Sequence, residues 1–268
     1  MGMQSSLRDH ALVKSSGQLM VEMPRDCPTV SERFYVPDLQ PNSEVVIEGA
    51  EVNHITKVMR RQPGDQLILF DGNGGQATGV IDAISRHAVT VHSQSVQQIS
   101  LEPKVSVTIA AALPKGDRLK FMVEKLAECG ANRLIPVNFA RSNVVPRPNT
   151  IEKMRRYVIE ACKQCGRNHL MKIGETHPSL PWISEYSETQ NKRICLPIQP
   201  TPLLDQPVAN DDINEVCFLV GPEGGFTEEE TAAASDSGWQ PIHFGPRVLR
   251  IETAAIFSCI TAVDPSRS

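Results

Sequence analysis

The hydrophobic pattern of this 268-residue chain changes at 101–103, and that change restricts the fold more than any other feature. Ahead of it, short apolar segments are separated by turn residues such as Pro63, Gly64 and the glycine-rich stretch 71–75. Beyond it, apolar runs typical of buried strands alternate with helical periodicity. The chain is therefore predicted to contain two domains of different architecture, joined at 101–103.

The two predicted domains differ in how they bury their strands. The first, 31–101, is interpreted as a small β-barrel-like unit with one short helix over 49–59. The second, 102–268, is predicted to be α/β with a mainly parallel sheet, because strand and helix patterns alternate. Residues 1–30 are rich in Ser, Met and Pro, lack periodicity, and are predicted to form a flexible extension.

Three candidate N-caps mark helix starts in the α/β domain, namely Asp117, Thr150 and Thr227. Thr227 is followed three residues later by Glu230, which is the spacing of a capping box. The last helix is predicted over 252–263.

Charge is distributed unevenly along the chain, so the formal total of −4 says little about partners. The window 115–167 contains 12 basic and 5 acidic residues, whereas 175–236 contains 2 basic and 12 acidic ones. A basic cluster of this kind suits a polyanion, because each cation that meets a phosphate releases condensed counterions. The sequence therefore indicates a nucleic-acid partner despite its acidic total.

The cysteines indicate reduced thiols and a cytoplasmic protein, because their number, seven, is odd, they are scattered, and no secretory signal precedes them. Cys162 and Cys165 form a CxxC pair inside a helical pattern, which favours a structural role over a metal or redox site. The histidines are too dispersed to predict a metal site. No apolar run is long enough to span a membrane.

Two glycine-bearing loops near the C-terminus carry the candidate chemistry. Residues 218–226 leave an apolar strand and contain Gly-Pro-Glu-Gly-Gly, whose backbone can approach a ligand closely. Residues 244–254 leave a second short strand and bring Arg247, Arg250 and Glu252 to a helix start, which favours polar or negative ligand groups. Because ligands of open α/β sheets bind at the carboxyl ends of strands, both loops are candidate binding loops.

Together these loops resemble the 16S ribosomal RNA uridine N3-methyltransferase family of the SPOUT superfamily. The resemblance rests on the segments 221–225 and 249–254, and it extends from about 33 to 263. It implies a PUA-like β-barrel followed by a SPOUT α/β domain whose C-terminus threads through a trefoil knot, a rare exception to the usual connection rules. It also implies a homodimer that acts on 16S ribosomal RNA in the decoding region of the small ribosomal subunit.

The family resemblance implies S-adenosylmethionine as cofactor, held by backbone groups of three loops. The cofactor-binding residues implied are Leu196, Pro197, Ile198, Gly221, Pro222, Glu223, Gly224, Gly225, Phe244, Gly245, Arg247, Val248, Leu249 and Thr253. The RNA-contacting residues expected are Arg33, Arg60, Arg61, Lys115, Arg141, Lys163 and Arg167.

For catalysis, the N3 proton of the uracil must leave before or during methyl transfer, so a base or an anion stabiliser is required. The hypothesis assigns Arg250 to the developing anion and Glu252 to orienting the uridine, with Glu223 as the alternative base. Two other functions stay open on sequence alone. They are methylation of a ribose 2′-hydroxyl in ribosomal or transfer RNA, and a non-catalytic RNA-binding assembly factor.

Overall fold

The computed structural model describes residues 33–197 and 214–263. The predicted extension 1–30 lies outside the described residues, and so does Ile198. None of the helices within these two ranges is long and apolar enough to cross a membrane.

The N-terminal part forms a six-stranded sheet. Its strands are β1 Arg33–Tyr35, β2 Glu44–Glu48, β3 Gln66–Phe70, β4 Gly75–Ile84, β5 Ala88–Ser93 and β6 Gln97–Gln98. They run in the order β1-β3-β4-β5-β2, with β6 on β4, and every pair is antiparallel except β1 with β3. Alternate residues of β4 point inward, and the apolar side chains they share with the neighbouring strands make a core of their own.

The short helix predicted over 49–59 is present but changes type along its length. An α-turn, α1 at Ala50–Asn53, continues as a π-helical turn at His54–Val58. In the wider turn the amide of Met59 donates to the carbonyl of His54, five residues back, at 2.9 Å. This turn buries Ile55 completely in the N-terminal core.

The C-terminal part is α/β, as predicted. Its elements are β7 Ser106–Ala111, α2 Asp117–Glu128, β8 Arg133–Asn138, α3 Pro148–Cys165, β9 Lys172–Ile173, β10 His177–Pro178, α4 Ser179–Glu185, β11 Lys192–Cys195, β12 Glu215–Val220, α5 Glu228–Asp236, β13 Gln240–Ile242 and α6 Ile251–Val263. The strand order is β10-β8-β7-β12-β11-β13, with β9 also on β8, and every pairing is parallel. The central strands β7 and β12 are buried on both faces, which explains their continuous apolar sequences.

Helix starts match the prediction in one case and differ in two. Thr227 and Glu230 form the predicted capping box, with the Thr227 hydroxyl accepting from the Glu230 amide at 3.1 Å. α3 begins two residues before Thr150, because Pro148 fits the first helical turn, where no amide hydrogen is needed. α2 begins at Asp117 itself, so its carboxylate lies in the first turn, near the positive end of the helix, and does not cap it.

Candidate active site

Four neighbouring strands of the parallel sheet end at the same level. Val220 at the end of β12 pairs with Ala111 of β7 and with Cys195 of β11, and Cys195 in turn pairs with Ile242 of β13. The loops that follow β7, β11, β12 and β13 therefore leave the sheet side by side. Loops at the carboxyl ends of parallel strands are where such sheets bind ligands, so this edge is the candidate site.

The loop after β12 is held close to its own following segment. A Cβ atom on Gly221 would lie 2.9 Å from the ring of Phe226, so only glycine fits there. Phe226 packs edge-on against Phe139 with ring centres 5.3 Å apart, which fixes the far end of the loop. Gly225 has φ 71°, a conformation that other residues rarely adopt. The structure thus explains why glycine occupies positions 221 and 225 of the predicted binding loop.

Arg141 braces this loop from β8's side. One guanidinium nitrogen donates to the carbonyl of Gly224 at 3.0 Å and to that of Phe226 at 3.2 Å. The rest of the Arg141 side chain is exposed. Its predicted contact with RNA therefore stays a prediction, next to a loop-positioning role that the sequence did not indicate.

Glu230 is a buried residue that stabilises the end of the same loop. It is 1% exposed, and its carboxylate accepts from the Thr227 amide at 2.9 Å, the Ala140 amide at 2.9 Å and the Ser179 hydroxyl at 2.7 Å. Burial acts to raise the pKa of Glu230, but these hydrogen bonds outweigh it and the pKa is lowered. The carboxylate therefore ties β8, α4 and α5 together in its ionised form.

The loops after β11 and β13 are joined to each other. The amide of Leu196 donates to the carbonyl of Ile242 at 3.0 Å, and Nδ1 of His243 lies 2.9 Å from the carbonyl of Leu196. The ring of Phe244 packs on Phe257 of α6, with centres 5.1 Å apart. His243, one of the dispersed histidines of the sequence, thus connects the two binding loops.

Two carboxylates of the site converge on one arginine. Nη1 of Arg118, in the first turn of α2, lies 3.2 Å from Oε1 of Glu223 and 3.8 Å from Oε2 of Glu252. Glu252 is 6% exposed, and its Oε2 has no hydrogen-bond partner. The Glu223 side chain is 37% exposed. We refer to these three residues as the carboxylate cluster.

Arg118 is the functional residue that sequence reasoning missed, since it was counted only among basic residues. Its position in the chain could have indicated this role. The segment that follows β7 leads into α2 and leaves the sheet beside β12, and the loop after β12 carries Glu223.

The other predicted site residues lie around this cluster. Arg247, Val248, Arg250 and Thr253 are exposed, while Leu249 is half-buried. Within the two described ranges, neither Arg247 nor Arg250 forms an ion pair. Pro222 is buried, and Pro197, the last residue described after β11, is exposed. The loop after β13 thus offers two exposed arginines, Arg247 and Arg250, to a ligand.

Arg33 and Arg167 are corrections to the predicted RNA contacts, because each is only 5% exposed. Arg33 donates to Gln76 at 2.8 Å and to Asn168, and its guanidinium lies 5.0 Å from the ring centre of Phe70. Arg167 donates to Glu102 and to the carbonyls of Ala127 and Ala131, both at 2.9 Å. Arg33 therefore joins the N-terminal part to Asn168 of the C-terminal part, and Arg167 joins α3's end to α2 and Glu102. Neither guanidinium is exposed enough to reach a phosphate.

Lys163 is largely engaged within the protein, and its expected RNA contact stays a prediction. Its side chain is 14% exposed, forms an ion pair with Glu51 and lies 5.5 Å from the ring centre of Phe34. It therefore joins α3 to the N-terminal part of the chain. Arg60 and Lys115 are exposed and Arg61 is half-buried, so RNA contacts by these three stay predictions, as does the contact by Arg141.

A cavity of about 690 Å³ lies away from these loops, at the amino-terminal edge of the sheet. Its lining includes Ser106, Arg133, Lys172 and Glu215. Because parallel sheets bind ligands at their carboxyl edge, we place the active site at the four loops and not in this cavity. No group of three or more His, Cys, Asp or Glu in the described ranges could hold a metal ion.

Comparison with known proteins assigns both parts of the chain. Residues 101–263 match the RNA methyltransferase domain, and residues 47–92 match the RNA methyltransferase PUA domain. The chain is 28% identical over 247 residues to ribosomal RNA small subunit methyltransferase E of Buchnera aphidicola subsp. Schizaphis graminum, covering 90% of this chain and 97% of that protein. It is 30% identical to the protein of the same name from Mesomycoplasma hyopneumoniae, covering 84% of this chain and 96% of that one.

Solved structures show the same relationship. The structure of ribosomal RNA small subunit methyltransferase E from Neisseria gonorrhoeae, bound to S-adenosyl methionine, aligns with a TM-score of 0.75 at 28% identity, over 85% of this chain and 94% of that one. A Legionella pneumophila structure in complex with the bound cofactor SAM aligns with a TM-score of 0.77 at 30% identity, over 85% and 95%. The predicted fold class, a SPOUT α/β domain after a PUA-like β-domain, is confirmed. The chain therefore belongs to the RNA methyltransferase family of ribosomal RNA small subunit methyltransferase E.

Proposed function

We propose that this protein transfers the methyl group of S-adenosylmethionine to N3 of a uridine in 16S ribosomal RNA of the small ribosomal subunit. The single observation that carries the proposal is the carboxylate cluster with exposed Arg250 beside it, at the edge where four loops of the parallel sheet meet. The relatives that share this fold are named for methylation of small-subunit ribosomal RNA.

The loops fit the cofactor on two observations. Oε2 of Glu252 is a buried acceptor that receives no hydrogen bond, although Arg118 lies 3.8 Å from it, and it suits a ligand that brings a hydrogen-bond donor. Space is open beside Gly225, where an added Cβ would meet nothing within 4 Å. The residues proposed to hold it are those of 196–198, 221–225 and 244–249, with Thr253. When bound, S-adenosylmethionine supplies an electrophilic methyl group on a sulfonium.

The protein side chains must accept the N3 proton of the uracil and stabilise the negative charge that develops on the base. Glu223 is the better candidate base, because its side chain is 37% exposed and can reach a bound nucleobase. Glu252 is buried and faces Arg118, so in this proposal it fixes Arg118 and does not orient the uridine. Arg250 is exposed and donates to a uracil carbonyl as negative charge develops there.

The target base must be unstacked to reach these loops, as is usual when proteins recognise a single RNA nucleotide. The PUA-like domain would dock the RNA, with Arg60 and Arg61 as contacts. Lys115 and Arg141 would contact phosphates beside the active site. A cytoplasmic location, predicted from the reduced thiols, agrees with a ribosomal substrate.

A homodimer is part of the proposal. Phe257 and Ile260 are 47% and 45% exposed on α6, and Phe121 is 49% exposed on α2, the helix that packs beside it. Thr253, Phe257 and Ile260 follow a spacing of four and three residues, so they lie on one face of α6. A second copy of the chain would cover this apolar patch next to the cofactor loops. Sedimentation of the Phe257→Asp variant would show a monomer if the patch is the interface.

The decisive experiment uses small ribosomal subunits from a strain that lacks the endogenous enzyme. They are incubated with the protein and the cofactor, and the modified nucleoside is identified by nuclease digestion and mass spectrometry. N3-methyluridine supports the proposal. A 2′-O-methylated nucleoside would replace it with the ribose-methylating alternative, and absence of cofactor binding in calorimetry would indicate a non-catalytic assembly factor.

A further inference from the structure

A groove runs between α2 and α3, outside the active site. Its volume is about 900 Å³. The side chains that line it include Lys120, Glu124, Lys125, Glu128, Lys153, Arg156, Tyr157 and Glu160. None of these side chains is a predicted cofactor residue or a predicted RNA contact, so the proposed function gives the groove no role.

The groove has one more basic side chain than it has carboxylates, since Lys120, Lys125, Lys153 and Arg156 line it together with Glu124, Glu128 and Glu160. Glu128 pairs with Lys125 at 2.7 Å, and Glu124 lies 3.7 Å from Lys120. Glu160 pairs with Lys163, at 3.4 Å. Lys153 and Arg156 are exposed and form no ion pair within the described ranges, so the charge left over in the groove is positive.

Tyr157 brings two of these cations together. The ammonium of Lys120 lies 5.8 Å from its ring centre, and that of Lys153 lies 5.7 Å from it. The ring attracts both cations through its quadrupole, although two like charges near one ring repel each other. An anion bound in the groove relieves that repulsion. Arg156, the residue before Tyr157, also lines the groove and offers a planar donor that suits phosphate.

The groove extends from the neighbourhood of the carboxylate cluster toward the PUA-like domain. Its basic end lies at Lys120, two residues from Arg118 of the carboxylate cluster. Its other end lies near Lys163, which pairs with Glu51 of the PUA-like domain. A chain of phosphates that is docked on the PUA-like domain and delivers a base to the active site would cross this groove.

We infer that the α2–α3 groove binds the phosphodiester backbone of the substrate RNA next to the target nucleotide, through Lys120, Lys153 and Arg156 gathered around Tyr157. The inference rests on the proposed function for the identity of the RNA. It adds a docking surface that none of the predicted contacts covers.

The first test measures the salt dependence of binding to purified small ribosomal subunits. In the Lys153→Gln/Arg156→Gln variant, we expect the dissociation constant to rise about 10-fold, and the slope of log affinity against log salt to fall by about 1.5, because two phosphate contacts are lost. Arg155→Gln is the matched control, since Arg155 is exposed on the same helix, pairs with Glu152 and does not line the groove. An equal loss in Arg155→Gln, or an unchanged slope in the double variant, overturns the inference.

The second test concerns Tyr157 and separates docking from chemistry. Tyr157→Phe keeps the ring and should bind as the wild type does, whereas Tyr157→Leu should weaken binding. In Tyr157→Leu and in Lys153→Gln/Arg156→Gln, KM for small subunits should rise while kcat and cofactor affinity in calorimetry are unchanged. If the wild type binds subunits without methylating them, the proposed function is wrong. The salt dependence of binding still tests the role of the groove in that case. If kcat falls and KM does not, the groove is not a docking surface.

Discussion

Arg118 donates a hydrogen bond to Glu223 at 3.2 Å, and the same nitrogen is the charge partner of the buried carboxylate of Glu252 at 3.8 Å. One cation from the first turn of α2 therefore contacts two acidic residues that lie 29 positions apart in sequence. Because the cluster joins the start of α2 to the loop after β12 and to the start of α6, a change at Arg118 acts on the geometry of all three.

Replacing Arg118 should damage both stability and activity. Arg118→Gln leaves the carboxylate of Glu252 buried without a charge partner, and loss of one partner of a buried pair costs up to about 3–5 kcal/mol, less here because Arg118 is 38% exposed. Thermal unfolding should show the loss, and Arg118→Gln/Glu252→Gln should recover part of it, as a double-mutant cycle would measure. A double variant that is no more stable than Arg118→Gln would show that the two residues are not coupled.

Removing the proposed base should lower turnover and leave cofactor binding intact. We expect Glu223→Gln to reduce single-turnover methylation by about 10²–10⁴-fold, the usual contribution of general base catalysis. Arg250→Ala should also reduce it, because the developing anion loses its donor. Should Glu223→Gln keep near-normal rates while Glu252→Gln loses them, the assignment of the base would pass to Glu252.

The close approach of Gly221 to Phe226 predicts a size limit in the cofactor loop. Gly221→Ala places a methyl group about 2.9 Å from the ring, so the loop must shift, at a cost of about 1–3 kcal/mol. Calorimetry should show weaker binding of S-adenosylmethionine. Phe226→Leu combined with Gly221→Ala should restore part of the affinity; unchanged affinity in Gly221→Ala alone would mean that the loop does not contact the cofactor.

Glu230 should make the fold sensitive to acid. Its pKa is lowered in the folded protein, so its stabilising contribution is complete above the ordinary carboxyl pKa of about 4.3 and is lost as pH falls through the folded value. The free energy of unfolding of the wild type should thus exceed that of Glu230→Gln at neutral pH. The difference should shrink on acidification, as denaturant titrations at several pH values would show; a constant difference would contradict the assignment.

The buried arginine Arg167 should behave as a structural residue in RNA binding. Arg167→Met removes two donors to backbone carbonyls and the partner of Glu102, so it should lower the free energy of unfolding by about 3–5 kcal/mol. Its slope of log affinity against log salt should match that of the wild type, whereas Arg60→Gln should reduce the slope by about 0.7–0.9. A reduced slope in a folded Arg167→Met protein would restore Arg167 as an RNA contact.

The sequence predicted architecture well because periodicity and turn chemistry are local signals. The parallel sheet, the capping box at Thr227 and the two glycine loops could all be derived from residues near each other in the chain. The helix type at His54–Val58 could not, since the register of a π-turn depends on burying Ile55 against distant strands.

Local sequence patterns could not predict which arginines are exposed to solvent. Arg167 looks like an RNA contact because it lies in the basic window 115–167, and Arg33 is expected to be one in the barrel domain. Their guanidinium groups instead pair with Glu102 and Asn168 across large sequence separations. The same limitation hid Arg118, whose partners lie more than 100 residues further along the chain. Composition identifies a basic region, and only tertiary pairing separates its structural cations from those available to a phosphate.

The common level at which β7, β11, β12 and β13 end has a consequence for assembly of the enzyme. Ala111, Cys195, Val220 and Ile242 meet there, so no fragment of the growing chain contains the site until the last strand and α6 have been synthesised. A ligand held by the loops after β11, β12 and β13 recognises only the complete domain. Its binding therefore raises the free energy of global unfolding and not that of a single segment. Cofactor-dependent protection against proteolysis should therefore extend to the whole parallel sheet, and chains that end before Ile251 should gain none.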